Sequence, residues 1–157
     1  MTEPKDFQTT NRHLRFLPGD QTMAQLVDRM IRVDHAGEFG AARIYDGQLA
    51  VFEGTPNEKV IRNMAEQERR HLDHFENLIA TRKIRPTALS PVWHVAGFAL
   101  GAFSAALGER AAMACTEAVE SVIDQHYSNQ IKQLGEEEKE LRATLEEFRQ
   151  DEIAHRD

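Results

Sequence analysis

The sequence is poor in cysteine, proline and glycine, and each shortage excludes a class of structure. The single cysteine, Cys115, cannot form an internal disulfide, and it excludes zinc or iron–sulfur sites that need several thiolates. Only five prolines and nine glycines occur in 157 residues. Because both residues interrupt helices, their scarcity favours long uninterrupted helices.

An excess of positive charge is also absent. The net charge is −7 and the pI about 5.5, so the basic surface that binds nucleic acid is missing and we expect no nucleic-acid partner. The first 16 residues contain no apolar core of a signal peptide, and Glu3 and Asp6 disfavour an acid-poor transit peptide. We therefore expect an intracellular or already processed protein.

Apolar residues recur at steps of three and four along most of the chain, and no segment alternates with the period of a strand. We predict an all-α fold in which residues 1–21 form a flexible N-terminal arm and residues 22–157 form a bundle of four long helices. Breaks at Gly54–Asn57, Arg85-Pro86 and Gly135 separate the helices. The predicted helices run from about Thr22 to Glu53, Asn57 to Arg82 and Glu109 to Leu134, and from the glutamate run that begins at Glu136 to the end of the chain.

The segment from Pro86 to Gly108 contains no aspartate, glutamate, lysine or arginine and is mostly apolar or small. It predicts one additional helix outside the set of four. Three interpretations fit its composition: a buried core helix, a helix lying in a membrane surface, or the wall of a channel for a lipid-like substrate.

Two Glu-x-x-His pairs occupy positions where the helical stripe calls for apolar residues: Glu68 with His71, and Glu152 with His155. A spacing of three places both side chains of a pair on one helical face. Because a buried carboxylate without a partner costs several kcal/mol, these positions predict a bound cation. A metal-free polar network is the alternative.

The other two long helices each supply a glutamate on their inward stripe, Glu38 and Glu120. The chain thus repeats one unit, a glutamate, a turn and a Glu-x-x-His pair, and antiparallel packing brings all six side chains to one depth. Hard oxygen ligands with one imidazole per ion suit Fe(II) or Mn(II) better than Zn(II). We predict six metal ligands: Glu38, Glu68, His71, Glu120, Glu152 and His155.

Three further residues are candidates for roles beside the metals. Tyr127 lies on the same stripe as Glu120, where it could donate to a ligand, carry electrons or protons, or simply fill the core. Asp34 and Asp124 each lie four residues from a predicted ligand, and either could orient an imidazole across the bundle.

Longer motifs resemble the demethoxyubiquinone hydroxylases, the di-iron monooxygenases of ubiquinone biosynthesis. The resemblance covers about Met23 to Asp157, and its motifs recur in the order of that family. The matching segments are Arg32–Tyr45 (RVDHAGEFGAARIY), Gln67–His71 (QERRH), Gly97–Gly101 (GFALG), Ala112–Thr116 (AMACT) and Asp151–His155 (DEIAH).

This resemblance implies a ferritin-like bundle with two iron ions per chain. It implies that Glu38 and His71 bind one iron and that Glu120 and His155 bind the other. Glu68 and Glu152 would bridge the two. The implied reaction hydroxylates the ring of a polyprenyl demethoxyubiquinol with O2 and two electrons.

The family also implies a peripheral location, on the cytoplasmic side of a bacterial membrane or the matrix side of the mitochondrial inner membrane. An accessory lipid-binding protein is an implied partner, and association into a homo-oligomer is left open. Family members continue past the second Glu-x-x-His pair with a further apolar stretch, so we expect part of the hydrophobic wall to be missing where this sequence ends, at Asp157.

Two other functions fit the ligand set alone: a ferritin-like protein that handles iron or reduces peroxide without an organic substrate, and a helical module without enzymatic activity. The uncharged segment 86–108 favours the hydroxylase over the first, because iron storage does not require such a segment.

Overall fold

The computed structural model describes residues 19–156, with the side chains of residues 154–156 excluded. Within this range the chain is helical and has no strand, which confirms the predicted all-α, ferritin-like bundle with one additional apolar helix. The predicted arm of residues 1–21 falls mostly outside the described residues. The elements are α1 (Met23–Phe52), α2 (Glu58–Arg82), α3 (Ser90–Ala106), α4 (Glu109–Ile131), a 3-10 turn (Glu136–Glu138) and α5 (Lys139–Arg156).

Local chemistry explains where α1 and α2 begin and end. A capping box begins α1. The backbone N–H of Gln25 donates to Thr22 Oγ1 over 3.2 Å, and the backbone N–H of Thr22 donates to Gln25 Oε1 over 3.0 Å. Gly54, with φ of 74°, turns the chain after α1. At the end of α2, Lys83 adopts the left-handed conformation with φ of 56°.

Two apolar clusters form the core, one towards each end of the bundle. One includes Ile31, Phe75 and Tyr127, and the other includes Phe52 and Ile61. Glu38, Glu68 and Glu120 lie between these clusters along their helices, and Glu152 follows Phe148 of the first cluster on α5. A buried polar layer is therefore enclosed by apolar side chains on both sides, and water has little access to it.

Glycines bring α3 against α1. A Cβ atom on Gly101 would lie 1.9 Å from the carbonyl oxygen of Ile44, and one on Gly47 would lie 2.2 Å from that of Phe98. Both distances are far below a van der Waals contact, so the two backbones can approach this closely only with glycine at these positions.

The other side of α3 is apolar and exposed. Val95 and Phe103 of this helix, and Leu107 directly after it, each show more than 60% of their surface, and only small residues of the helix are buried. The interpretation of segment 86–108 as a buried core helix is therefore wrong. Among the described residues, no helix is both long and apolar enough to cross a membrane.

Candidate metal centre

The polar layer is built around His71, whose side chain is 2% exposed. Its Nδ1 atom lies 3.4 Å from Glu152 Oε1 and 3.9 Å from carboxylate oxygens of both Glu38 and Glu68. One ligand atom from each of these four residues lies within 4.8 Å of the others. Three helices, α1, α2 and α5, thus bring four of the six predicted ligands together.

The second nitrogen of His71 fixes the orientation of the ring. Nε2 lies 3.1 Å from Oδ2 of Asp151, and a proton on Nε2 can be donated to that carboxylate. The lone pair of Nδ1 then points at carboxyl oxygens of Glu38, Glu68 and Glu152. No described residue forms a hydrogen bond with Nδ1. An acceptor nitrogen facing three buried carboxylates fits a cation, so the donor set is compatible with a metal ion.

The electrostatics of the cluster support this interpretation. Burial, followed by the neighbouring Glu68 carboxyl, raises the pKa of Glu38 well above its usual range. Burial and the adjacent Glu120 carboxyl raise the pKa of Glu152 in the same direction. Among the described residues, Glu38 and Glu152 form no ion pair with arginine or lysine. Divalent cations would remove this repulsion by replacing protons that the carboxyls otherwise retain.

The fifth predicted ligand, Glu120, is 1% exposed and lies beside Glu152 rather than inside the four-residue cluster. Its Oε1 atom accepts a short hydrogen bond from the hydroxyl of Tyr45. The sixth, His155, lies on α5, but its side chain is outside the described residues. Its assignment remains a prediction.

Tyr127 is fully buried, and its hydroxyl donates a short hydrogen bond to Glu38 Oε1. This hydrogen bond fits the donor role, one of the three alternatives that the sequence left open, and the assignment of that role to Tyr127 stays a prediction. Asp34 accepts a hydrogen bond from Gln130, and Asp124 accepts one from Arg149. The imidazole of His71 is held by neither of them.

Sequence comparison identifies the family. The family model described as "Ubiquinone biosynthesis protein COQ7" matches residues 25–157. The chain belongs to the COQ7 family. This confirms the resemblance to the demethoxyubiquinone hydroxylases that the motifs indicated.

Individual COQ7-family relatives are similar to most of the chain. The 3-demethoxyubiquinol 3-hydroxylase of Rhodospirillum rubrum is 56% identical over 142 residues, which cover 90% of this chain and 67% of that protein. Two proteins named NADPH-dependent 3-demethoxyubiquinone 3-hydroxylase, mitochondrial, are each 51% identical. The Dictyostelium discoideum protein is matched over 93% of this chain and 69% of its own length, and the Homo sapiens protein over 88% and 65%. The chain thus spans about two thirds of the length of these relatives.

Within the COQ7-family chain, sequence reasoning missed Tyr45 and Asp151. Tyr45 lies seven residues after Glu38, so helical periodicity places it on the same face of α1, but its bond to Glu120 depends on how α1 and α4 pack. Asp151 directly precedes Glu152 and so points away from the inward stripe. Asp151 reaches His71 only because α5 packs against α2 in the folded chain.

Proposed function

We propose that this chain is a di-iron monooxygenase that hydroxylates the ring of a polyprenyl demethoxyubiquinol in ubiquinone biosynthesis, with O2 and two electrons. The observation that carries the proposal is the buried His71 nitrogen facing three carboxylates in a chain of the COQ7 family. The relatives at 51–56% identity carry the names of such hydroxylases.

The residues divide into ligands and residues that hold them. Glu38, Glu68, His71 and Glu152 would hold metal together with Glu120 and His155. Two iron ions there would supply the two-electron chemistry that activates O2. Asp151 orients the imidazole of His71, and the apolar clusters on both sides exclude water from the polar layer.

An apolar cavity of about 720 Å³ supports a hydrophobic substrate. It lies between α1, α3 and α4, and Gly37, Ala41 and Ile123 are among the residues that line it. Gly37 directly precedes Glu38, and Ile123 lies one helical turn from Glu120, so the cavity borders the polar layer. A protein that only handles iron or reduces peroxide would not need this cavity, and the hydroxylase is therefore the better-supported function.

The exposed apolar side of α3 supports a peripheral position on a membrane surface. Trp93 and Leu100 line the cavity from this helix, so a membrane contact on α3 would place the cavity beside the lipid that dissolves a polyprenyl quinol. The membrane would be the cytoplasmic face of a bacterial membrane or the matrix face of the mitochondrial inner membrane. An accessory lipid-binding protein and a homo-oligomer could use the same side of α3.

The experiment that tests the function combines metal content with turnover. The metal-free protein is loaded anaerobically with Fe(II), its iron is counted, and a short-tailed demethoxyquinol is then supplied with O2 and a reductant. We expect about two irons per wild-type chain and one new ring hydroxyl. His71→Ala should lose iron and activity, whereas His74→Ala, a change on the same helix, should keep both.

Two results would contradict the proposal. Iron bound without hydroxylation of the quinol would favour the iron-handling alternative. A wild-type protein that binds no iron would favour the other alternative, a helical module without enzymatic activity. The membrane proposal is tested separately with vesicles: Phe103→Glu should reduce binding, and binding that is unchanged in this variant would remove α3 from the contact.

A further inference from the structure

The contact between α1 and α4 contains an internal two-fold repeat of polar pairs. In each helix, the residues four before, seven after and ten after the inward glutamate are polar and buried. Each of them, and each glutamate, pairs with a residue of the other helix. We call these four pairs the α1–α4 ladder: Asp34 with Gln130, Glu38 with Tyr127, Tyr45 with Glu120, and Gln48 with Thr116.

The two central pairs act on the glutamates in the same way. Tyr127 donates to Oε1 of Glu38, and Tyr45 donates to Oε1 of Glu120. In Glu38 this leaves Oε2 facing His71 at 3.9 Å. Each tyrosine thus occupies one carboxylate oxygen and fixes the direction of the other. The tyrosines are positioning residues, because they act through the carboxylates that they hold.

The outer pairs break the symmetry. Gln48 and Gln130 are equivalent, but their partners are a neutral hydroxyl at one end and a carboxyl group at the other. Gln48 Nε2 donates to Thr116 Oγ1 over 3.3 Å, whereas Gln130 Nε2 donates to Asp34 Oδ1 over 2.6 Å. The Oδ2 atom of Asp34 has no hydrogen-bond partner among the described residues and is buried. One end of the ladder therefore carries an ionisable group that the other lacks.

We infer that Asp34 makes the two metal positions unequal, so that the position at Glu38 binds its divalent cation more tightly than the position at Glu120. This inference rests on the proposed di-iron function. A carboxylate near a cation stabilises that cation, and the cation in turn favours the ionised form of Asp34 over the protonated form that it adopts in metal-free protein. Asp34 can therefore only strengthen the binding of the cation at the Glu38 position. Thr116, at the equivalent place, contributes no charge.

Stepwise metal binding tests this inference without any turnover. The metal-free protein is titrated anaerobically with Fe(II) in a calorimeter, and with Mn(II) as a second probe. We expect two steps in the wild type. Asp34→Asn, which keeps an acceptor for Gln130, should weaken the tighter step by about 10- to 100-fold and leave the weaker step within about threefold. His71→Ala should remove the tighter step, which assigns it to the Glu38 end.

Thr116→Val is the matched control, because it changes the equivalent pair without changing charge, and both steps should stay within about threefold. Asp34→Thr copies the Thr116 end and provides a second test if the asparagine variant folds poorly, as judged by circular dichroism. Two steps that are unchanged in both Asp34 variants, or that weaken equally, overturn the inference but leave the proposed function intact. Fewer than two ions bound by the wild type overturn both.

Discussion

Single side chains determine how the polar layer holds a cation, and Asp151 shows this most directly. It contacts the nitrogen of His71 that faces away from the carboxylates, over 3.1 Å. A carboxylate in this position fixes the tautomer of the imidazole and increases its strength as a ligand. Asp151 is itself 37% exposed on its side chain, so it can be changed without opening a cavity in the core.

Asp151→Ala should therefore weaken metal binding while the fold is retained. We expect the affinity for Fe(II) at the tighter step to fall by about 10- to 100-fold, since the imidazole loses the group that orients it. Anaerobic calorimetry measures the change. Glu140→Gln, at an exposed position near the start of the same helix, is the control and should leave the affinity unchanged. Equal affinity in the wild type and Asp151→Ala would contradict an orienting role.

A second residue-scale prediction concerns pH. Burial raises the pKa of Asp34 to about 8, against 3.8 for the ordinary carboxyl group, and the hydrogen bond from Gln130 opposes this only in part. The folded state thus holds a proton that the unfolded chain loses. The stability associated with this proton is complete below about pH 4, decreases as the pH rises, and is lost above about pH 8.

Asp34→Asn carries no such proton, so its stability relative to the wild type should increase with pH. In metal-free protein, the difference in unfolding free energy should shift in favour of the variant by a few kcal/mol, as an order of magnitude, between pH 5 and pH 9. Urea denaturation at both pH values measures it. A difference that does not depend on pH would show that Asp34 has an ordinary pKa.

At the scale of elements, the close packing of α1 and α3 depends on missing side chains. Gly101→Ala places a methyl group against the backbone of Ile44, which cannot move aside without displacing α1. Gly40 lies in the same helix as Ile44, but a Cβ there meets no atom within 4 Å. The two positions therefore test opposite effects of one substitution.

Gly101→Ala should destabilise the fold by roughly 2–3 kcal/mol or more, the cost of overpacking against backbone. Gly40→Ala should be neutral or stabilising by up to about 1 kcal/mol, because alanine favours a helix. Midpoints of chemical denaturation compare both variants with the wild type. Similar midpoints for the two variants would mean that α3 is not held closely against α1.

The helices and the inward residues of the site could be predicted, because a helix fixes which positions share a face. Glu38, Glu68, His71 and Glu152 lie on such faces, and the structure brings them together. The predicted ends of α1 and α2 agree with the structure to within one residue, since capping and turn residues mark them. The pairs of the α1–α4 ladder could not be predicted, because the register between two helices far apart in sequence depends on packing across the whole bundle.

The whole molecule places an apolar cavity beside the polar layer, with walls from three helices. Two alanines of α4 allow a comparison between a position that lines the cavity and one that does not. Ala118 lines the cavity, whereas Ala114, one turn earlier and also exposed, does not. A large side chain at Ala118 reduces the space for a quinol without touching a predicted metal ligand.

Ala118→Phe should therefore raise KM for a demethoxyquinol by about tenfold while the iron content stays at the wild-type value. The loss of cavity space is the physical reason, since an apolar ligand gains its affinity from contact with such walls. Steady-state kinetics and iron analysis measure the two quantities. Ala114→Phe should change neither, and an equal rise of KM in both variants would place the substrate elsewhere.

The glycine contact between α3 and α1 also has a mechanical consequence. At Gly47, Gly97 and Gly101 the two backbones are in direct contact, with no layer of side chains between them that could change rotamer and let the helices slide. We therefore expect α3, with its exposed apolar side, and α1, which carries Glu38, to move as one rigid body. Any surface that holds α3 sets the tilt of α1, and with it the angle at which the polar layer faces that surface.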